Sequence, residues 1–169
     1  AKAAAEALGV SPAEIANSLV FVATTHDGER LPLLVLASGG HRVDVDKVAD
    51  LAGLATVEQA DPAFVREHTG FAIGGVAPVG HPRHIRTIID VTLGRYTTVW
   101  AAAGHSHSVF ATSYDELIRI TGGQPMDVAP EMTRVTLDVL QRTIFTSGLA
   151  TGPDELASAI NAYFNSFGR

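Results

Sequence analysis

The sequence predicts an α/β domain with a mixed, barrel-like β-sheet and helices packed outside it, followed by an appended C-terminal helical segment. Three observations predict this. Runs of β-branched and aromatic residues mix irregularly with capped helical stretches, unlike the regular βα repeat of a doubly wound nucleotide fold. Glycines punctuate these runs at turn positions. Near Pro130 the composition shifts from strand-rich and Gly-rich to helical. The domain is accordingly placed at residues 1–129 and the helical extension at residues 130–169.

The elements follow in order. Ala1 to Val10 reads as a helix; it has neither the cleavage site nor the pure apolar stretch of a signal peptide. Ser11-Pro12-Ala13-Glu14 is a capping box with Pro at N1, a helix start. Leu19 to Ala23 and Leu31 to Leu36 flank His26-Asp27-Gly28 and read as a hairpin. Asp61-Pro62 opens a short helix that Gly70 closes. A short strand fits Phe71 to Ile73. Ile85 to Val91, Tyr96 to Ala103 and Ser108 to Ala111 read as further strands, with Gly94 and Gly104 at the turns. Ser113-Tyr114-Asp115-Glu116 is a second capping box, ended by Gly122-Gly123. Beyond Glu131, Met132, Val135, Val139 and Leu140 recur at helical spacing, and a last helix is expected from about Pro153 to Phe167.

Composition narrows the function. The formal charge of −6, with 18 acids against 12 bases, excludes a strongly cationic nucleic-acid coat but leaves room for a local basic patch. There is no cysteine, which excludes a disulfide framework, a thiol nucleophile, a zinc–thiolate site and a haem–thiolate. No apolar run approaches the roughly 18 residues of a membrane helix. A cytoplasmic protein is expected.

The stretch from Ala60-Asp61-Pro62 to Gly80-His81 is the most informative. Gly74-Gly75 permits positive φ and close approach of a ligand, and Pro78 stiffens the exit. Adjacent N–H groups in such a loop can converge on one oxygen; a plain Gly-Gly turn between strands has the same signature. His105 and His107, two apart, would share one side of a strand, a spacing compatible with metal, but no acidic partner adjoins them. His81, Arg83, His84 and Arg86 form the densest basic segment and could meet phosphates, or simply face solvent. Asp90 reads as a cap after its strand or as an orienting group behind the loop. Trp100 and Phe110 read as core.

Several linked motifs in this order resemble the YbaK/ProX family of aminoacyl-tRNA deacylases, also found as editing domains of prolyl-tRNA synthetases. They are the Ala-Asp-Pro helix start, Thr69-Gly70, the Gly-Gly-x-x-Pro-x-Gly loop at 74–80, Ile88-Ile89-Asp90, Gly104 to Phe110, and Leu117 to Gly123. Upstream, Ile15 to Phe21 stands where the family has its Lys-Ser/Thr-Leu strand start. The resemblance covers about residues 1–129. It implies hydrolysis of the ester joining a mischarged amino acid to the terminal adenosine of tRNA, with water as nucleophile and no metal or other cofactor.

The same resemblance assigns Gly74, Gly75, Pro78 and Asn17 to catalysis. It assigns Ser18, Phe21, Asp90, Gly104, His105 and His107 to substrate binding, and the basic character of His81, Arg83, His84 and Arg86 makes that segment the expected contact for the tRNA. The implied partners are the aminoacyl-tRNA acceptor end and a synthetase. Asn17 replaces the family Lys and lacks its charge, so a catalytically weak tRNA- or synthetase-binding module is the alternative. The family domain begins some two dozen residues earlier, with a strand this chain is expected to lack. Met132 to Phe145 resembles a helix of haem-thiolate monooxygenases, but without a Cys no haem binding in that manner is implied.

Overall fold

The hairpin around His26-Asp27-Gly28 becomes the centre of the sheet in the computed structural model, which describes residues 1–130. Its strands are β1 (Ile15–Thr24) and β2 (Arg30–Ser38), antiparallel with Phe21 opposite Leu33. β3 (Thr56–Gln59) pairs antiparallel with the far end of β1. β4 (Arg86–Asp90) lies parallel to β2, and β7 (Gln124–Met126) parallel to β4. β5 (Val99–Ala102) runs parallel to the start of β1 and carries β6 (Val109–Thr112) antiparallel on its outer side. The path β6-β5-β1-β2-β4-β7, with β3 branching from β1, makes a seven-stranded mixed sheet that does not close into a barrel.

Strand alternation sorts the apolar side chains into two cores, one on each face. Ala16, Val20, Val22, Leu34, Leu36 and Ile89 face one way. Phe21, Ala23, Leu33, Val35, Ala37 and Ile88 face the other. Helix α2 (Val45–Ala52) covers the second core with Val48 and Ala49. The first is covered by α3 (Pro62–Thr69) through Val65 and by α4 (Tyr114–Thr121) through Leu117. Leu33 to Leu36 have 0% exposure because β2 is covered on both faces. Each buried leucine there contributes about 1.5–3 kcal/mol. Helix α1 (Lys2–Leu8) precedes the sheet and ends on left-handed Gly9.

Three expectations need correction. The capping box at Ser11 forms, with Glu14 Oε1 accepting from Ser11 N–H at 2.8 Å, but opens a single 3-10 turn (Pro12–Glu14) and no α-helix. Ile15 is already extended, and the run Ile-Ala-Asn-Ser-Leu-Val-Phe-Val carries the strand preference that overrides the cap. Phe71 to Ile73 is a turn, not a strand: left-handed Gly70 precedes it, Gly74 follows with φ +85, and Thr69 Oγ1 accepts from Phe71 N–H at 3.0 Å. His105 and His107 sit in the turn between β5 and β6, so they do not share one side of a strand. The helices expected over 131–145 and 153–167, and the extension that contains them, lie outside the described residues.

Candidate functional site

β1 holds β2 along one edge, but its other edge is shared by two short neighbours. β5 pairs only with Ile15 and Ala16, and β3 takes over only at Phe21. Over residues 17–20, among the described residues, no strand lies on that side. Beside this gap opens a cavity of about 870 Å³. It reaches both faces of the sheet. Ser18, Val20, Ala60, Val65 and Val76 line it from the side of the first core, and Asn17, Phe21, Val43, Val45 and Val57 from the side of the second. Its deep walls are apolar. Among the described residues, its charged or ionisable groups are His41, Arg42 and Glu58, the last two exposed.

Of the residues expected from sequence, Asn17, Ser18, Phe21 and Gly74 come together on this cavity. The Ser18 hydroxyl is buried with no hydrogen-bond partner among the described residues. Gly74 has space around it, the nearest atom to a Cβ there being Ser106 Cβ at 3.9 Å. Gly75 does not line the cavity; it is clamped against the turn at 105–106. Gly104, with φ +90, lies on the ring of Phe71, where a Cβ would stand 3.1 Å from Cε1. The 104–107 turn therefore braces the Gly74-Gly75 loop from behind. Its hydrogen bonds are local: His105 O accepts from Ser108 N–H at 3.0 Å, and Ser106 Oγ lies 3.0 Å from His107 Nδ1.

Pro78 is buried and lines a separate cleft of about 200 Å³ with His81, Arg83, His84, Ile85 and Thr87. His81 Nε2 lies 2.9 Å from the Ala77 carbonyl, and its ring meets Phe71 edge-on. Burial holds its pKa below the usual imidazole value, with nearby His84 adding to the effect against that carbonyl contact. The basic segment is thereby divided. His81 favours its neutral form, Arg83 carries the positive charge at the rim beside exposed His84, and Arg86 turns away to donate from Nη2 to Ala52 O at 3.0 Å.

Asp90 is fully buried and does not line the cavity. Its carboxylate accepts from Ser38 N–H at 2.8 Å and Thr92 N–H at 2.9 Å. Oδ2 also lies 2.8 Å from His41 Nε2, an ion-pair distance without the geometry of a directed hydrogen bond. Asp90 thus fixes the end of β2 and the imidazole that forms part of the cavity wall. His41 and Arg42 were not singled out from the sequence. The signal that could have found them is Gly39-Gly40 at the end of β2, a second paired-glycine turn like that at 74–75. Among the described residues, no three His, Asp or Glu side chains converge as a metal site would require, and no helix is long and apolar enough to cross a membrane.

The family model for the aminoacyl-tRNA editing domain matches residues 1–120. YwhH, an uncharacterized protein of Bacillus subtilis (strain 168), is 35% identical over 114 residues, covering 68% of this chain and 69% of that protein. EbsC of Enterococcus faecalis, named as a candidate Cys-tRNA(Pro)/Cys-tRNA(Cys) deacylase, is 24% identical over 124 residues, 73% of each chain. The proline–tRNA ligase of Lysinibacillus sphaericus is 35% identical over 83 residues, 49% of this chain but 14% of the ligase. A crystal structure described as a candidate trans-editing enzyme for prolyl tRNA synthetase superposes with a TM-score of 0.70 at 42% identity, covering 77% of this chain and 79% of the other.

Proposed function

The chain belongs to the aminoacyl-tRNA editing domain family, and we propose that it acts in trans as a deacylase of mischarged tRNA in the cytoplasm. Water adds to the acyl carbon of the aminoacyl ester. The bond from that carbon to the terminal ribose oxygen breaks, the ribose oxygen takes up a proton, and the amino acid leaves as a carboxylate. The observation that carries this reading is the gap beside β1, where Asn17, Ser18 and Gly74 meet at a cavity large enough for an aminoacylated adenosine. Asn17 supplies a neutral amide to this site, Gly74 leaves room for the acyl group, and the turn at 104–107 keeps the Gly74 loop in place. Arg83 and His84 on the smaller cleft are suited to phosphates of the acceptor end, and a prolyl-tRNA synthetase is the partner that the relatives' names suggest.

The test is a deacylation panel on tRNA(Pro) carrying alanine, cysteine or proline. Hydrolysis of a mischarged species with prolyl-tRNA(Pro) spared supports the reading. Rates equal to buffer on every species overturn it. The neutral Asn17 favours one second reading, a binding module with little turnover. Saturable tRNA binding without hydrolysis would select that one.

A further inference from the structure

We infer that the edge of β1 left unpaired among the described residues is itself the recognition element for the charged amino acid: the Ser18 carbonyl accepts from its α-ammonium, and the Val20 N–H donates to its acyl oxygen. This rests on the deacylase reading and adds to it the group on the substrate that is read.

The argument begins with the hydrogen-bond phase of the hairpin. Gly39 N–H donates to Ile15 O at 2.9 Å, and Thr25 N–H donates to Glu29 O at 2.9 Å. In an antiparallel ladder such contacts recur at every second residue. The main-chain groups of odd-numbered β1 residues therefore point to β2, and those of even-numbered residues point to the opposite edge. At Ala16 that edge is occupied by β5, and from Phe21 onward by β3. Ser18 and Val20 lie between them, and both line the cavity.

An amino acid presents its amine and its carbonyl on one side, as a strand residue does. Laid parallel to β1 beside Leu19, it would meet Ser18 C=O and Val20 N–H in the pattern of a parallel β-bridge. The open stretch of four residues spans about 13 Å at the rise of a strand. It is closed at one end by β5 and at the other by β3, so it admits one residue and not a length of peptide. Main-chain groups on an open strand edge are a template for another extended backbone, and a substrate laid there supplies a partner to both Ser18 C=O and Val20 N–H. The contacts read only groups common to all amino acids, which leaves discrimination among side chains to the apolar cavity walls.

Two measurements test the inference. The first is amide hydrogen exchange, read by NMR, with 3′-deoxy-3′-(L-alanylamino)adenosine, in which an amide replaces the labile ester. Slowed exchange and a shifted resonance at Val20 are expected at saturation. An unperturbed Val20 amide, with or without changes elsewhere, overturns the inference. The second compares alanyl-tRNA with lactyl-tRNA, which carries a hydroxyl in place of the ammonium, each corrected for its rate in buffer. Loss of the charge-assisted bond to Ser18 C=O should lower kcat/KM about tenfold or more. Equal corrected values overturn the role of that carbonyl. If neither ester is hydrolysed and the cysteinyl and prolyl species also stay at the buffer rate, the deacylase reading fails, and the Val20 measurement still decides whether the β1 edge docks the aminoacyl group.

Discussion

Gly75 lies directly on the main chain of His105: a Cβ built on Gly75 would stand 3.0 Å from both C and Cα of His105. The contact is backbone against backbone, so no rotamer change relieves it. Gly75→Ala should therefore push the 104–107 turn away from the Gly74 loop. A loss of about 1–3 kcal/mol in denaturant-measured stability is expected, with a fall in deacylation. Wild-type stability in this variant would show that the turn gives way freely.

Gly74 differs in kind. Its surroundings are open, but φ is +85, so the difficulty for a side chain is conformational. Gly74→Ala should cost about 1–2 kcal/mol of stability. Turnover should drop about tenfold or more, equivalent to roughly 1.4 kcal/mol of barrier. Gly74→Asn, whose side chain tolerates the left-handed region better, should recover part of the stability but not the activity. Full activity in a folded Gly74→Ala protein would remove this loop from the reaction.

Asn17 tests the consequence of a neutral group at the gap. Asn17→Lys should raise deacylation or widen the range of amino acids removed, because an ammonium makes stronger hydrogen bonds to an ester or phosphate oxygen than an amide does. Asn17→Ala should lower the activity. Rates matching the parent for both variants, across a full panel of charged tRNAs, would leave residue 17 with no part in catalysis.

The buried carboxylate of Asp90 serves Ser38, Thr92 and His41 at once. Asp90→Ala would strand the Ser38 N–H in the interior, and each such orphaned group costs about 1–3 kcal/mol. Asp90→Asn keeps one acceptor oxygen and should lose less. Chemical denaturation of the two variants should rank them in that order, and the Ala variant should also weaken binding at the cavity through the loosened His41.

His81 gives a dependence on pH. Burial lowers its folded-state pKa from 6.5, so the unfolded chain takes up a proton more readily than the folded one. Stability should then be intact above about pH 6.5 and decline as the pH falls through that value toward the folded pKa. His81→Gln, which can still donate to the Ala77 carbonyl, should flatten this slope between pH 7.5 and 5.5. An unchanged slope would assign the acid sensitivity to other groups.

These expectations draw unequally on the sequence. The local signals were reliable where chain chemistry decides the structure: Asp61 caps α3 and Gly70 ends it, Ser113 caps α4, and Gly122 ends it. The hairpin followed from Asp27-Gly28 between two apolar runs. The strand β3, Thr-Val-Glu-Gln, has one buried side chain and three exposed ones, so its identity comes from pairing with β1 and not from its own pattern. β7 begins Gln-Pro and is likewise defined by its neighbour, β4. Helix α2 carries its own signals in the sequence, Asp44 as its N-cap and left-handed Gly53 at its end.

At the site, Asn17, Ser18, Phe21 and Gly74 line one cavity, whereas Gly75, Pro78, Asp90, Gly104, His105 and His107 do not. The grouping of His81, Arg83, His84 and Arg86 does not survive as a single patch. Alternation along β4 sends Thr87 to the smaller cleft and Arg86 to the opposite face, toward α2. Proximity in sequence concealed that division. The arrival of His41 and Arg42 from the far end of β2 depends on the long-range hold of Asp90 on Ser38 and His41, which no local pattern encodes.

The position of β2 also shapes the order in which this chain can assemble. The hairpin of β1 and β2 forms from neighbouring sequence, but the strand that covers the outer edge of β2 is β4, and the strand that flanks the start of β1 is β5. A chain emerging from the ribosome therefore displays the Leu33-Leu34-Val35-Leu36 edge well before residues 86–90 exist to pair with it. Such an edge is a template for self-association. Both late pairings are parallel and long-range, the kind that closes slowly. The window for aggregation thus opens with β2 and shuts only when β4 docks.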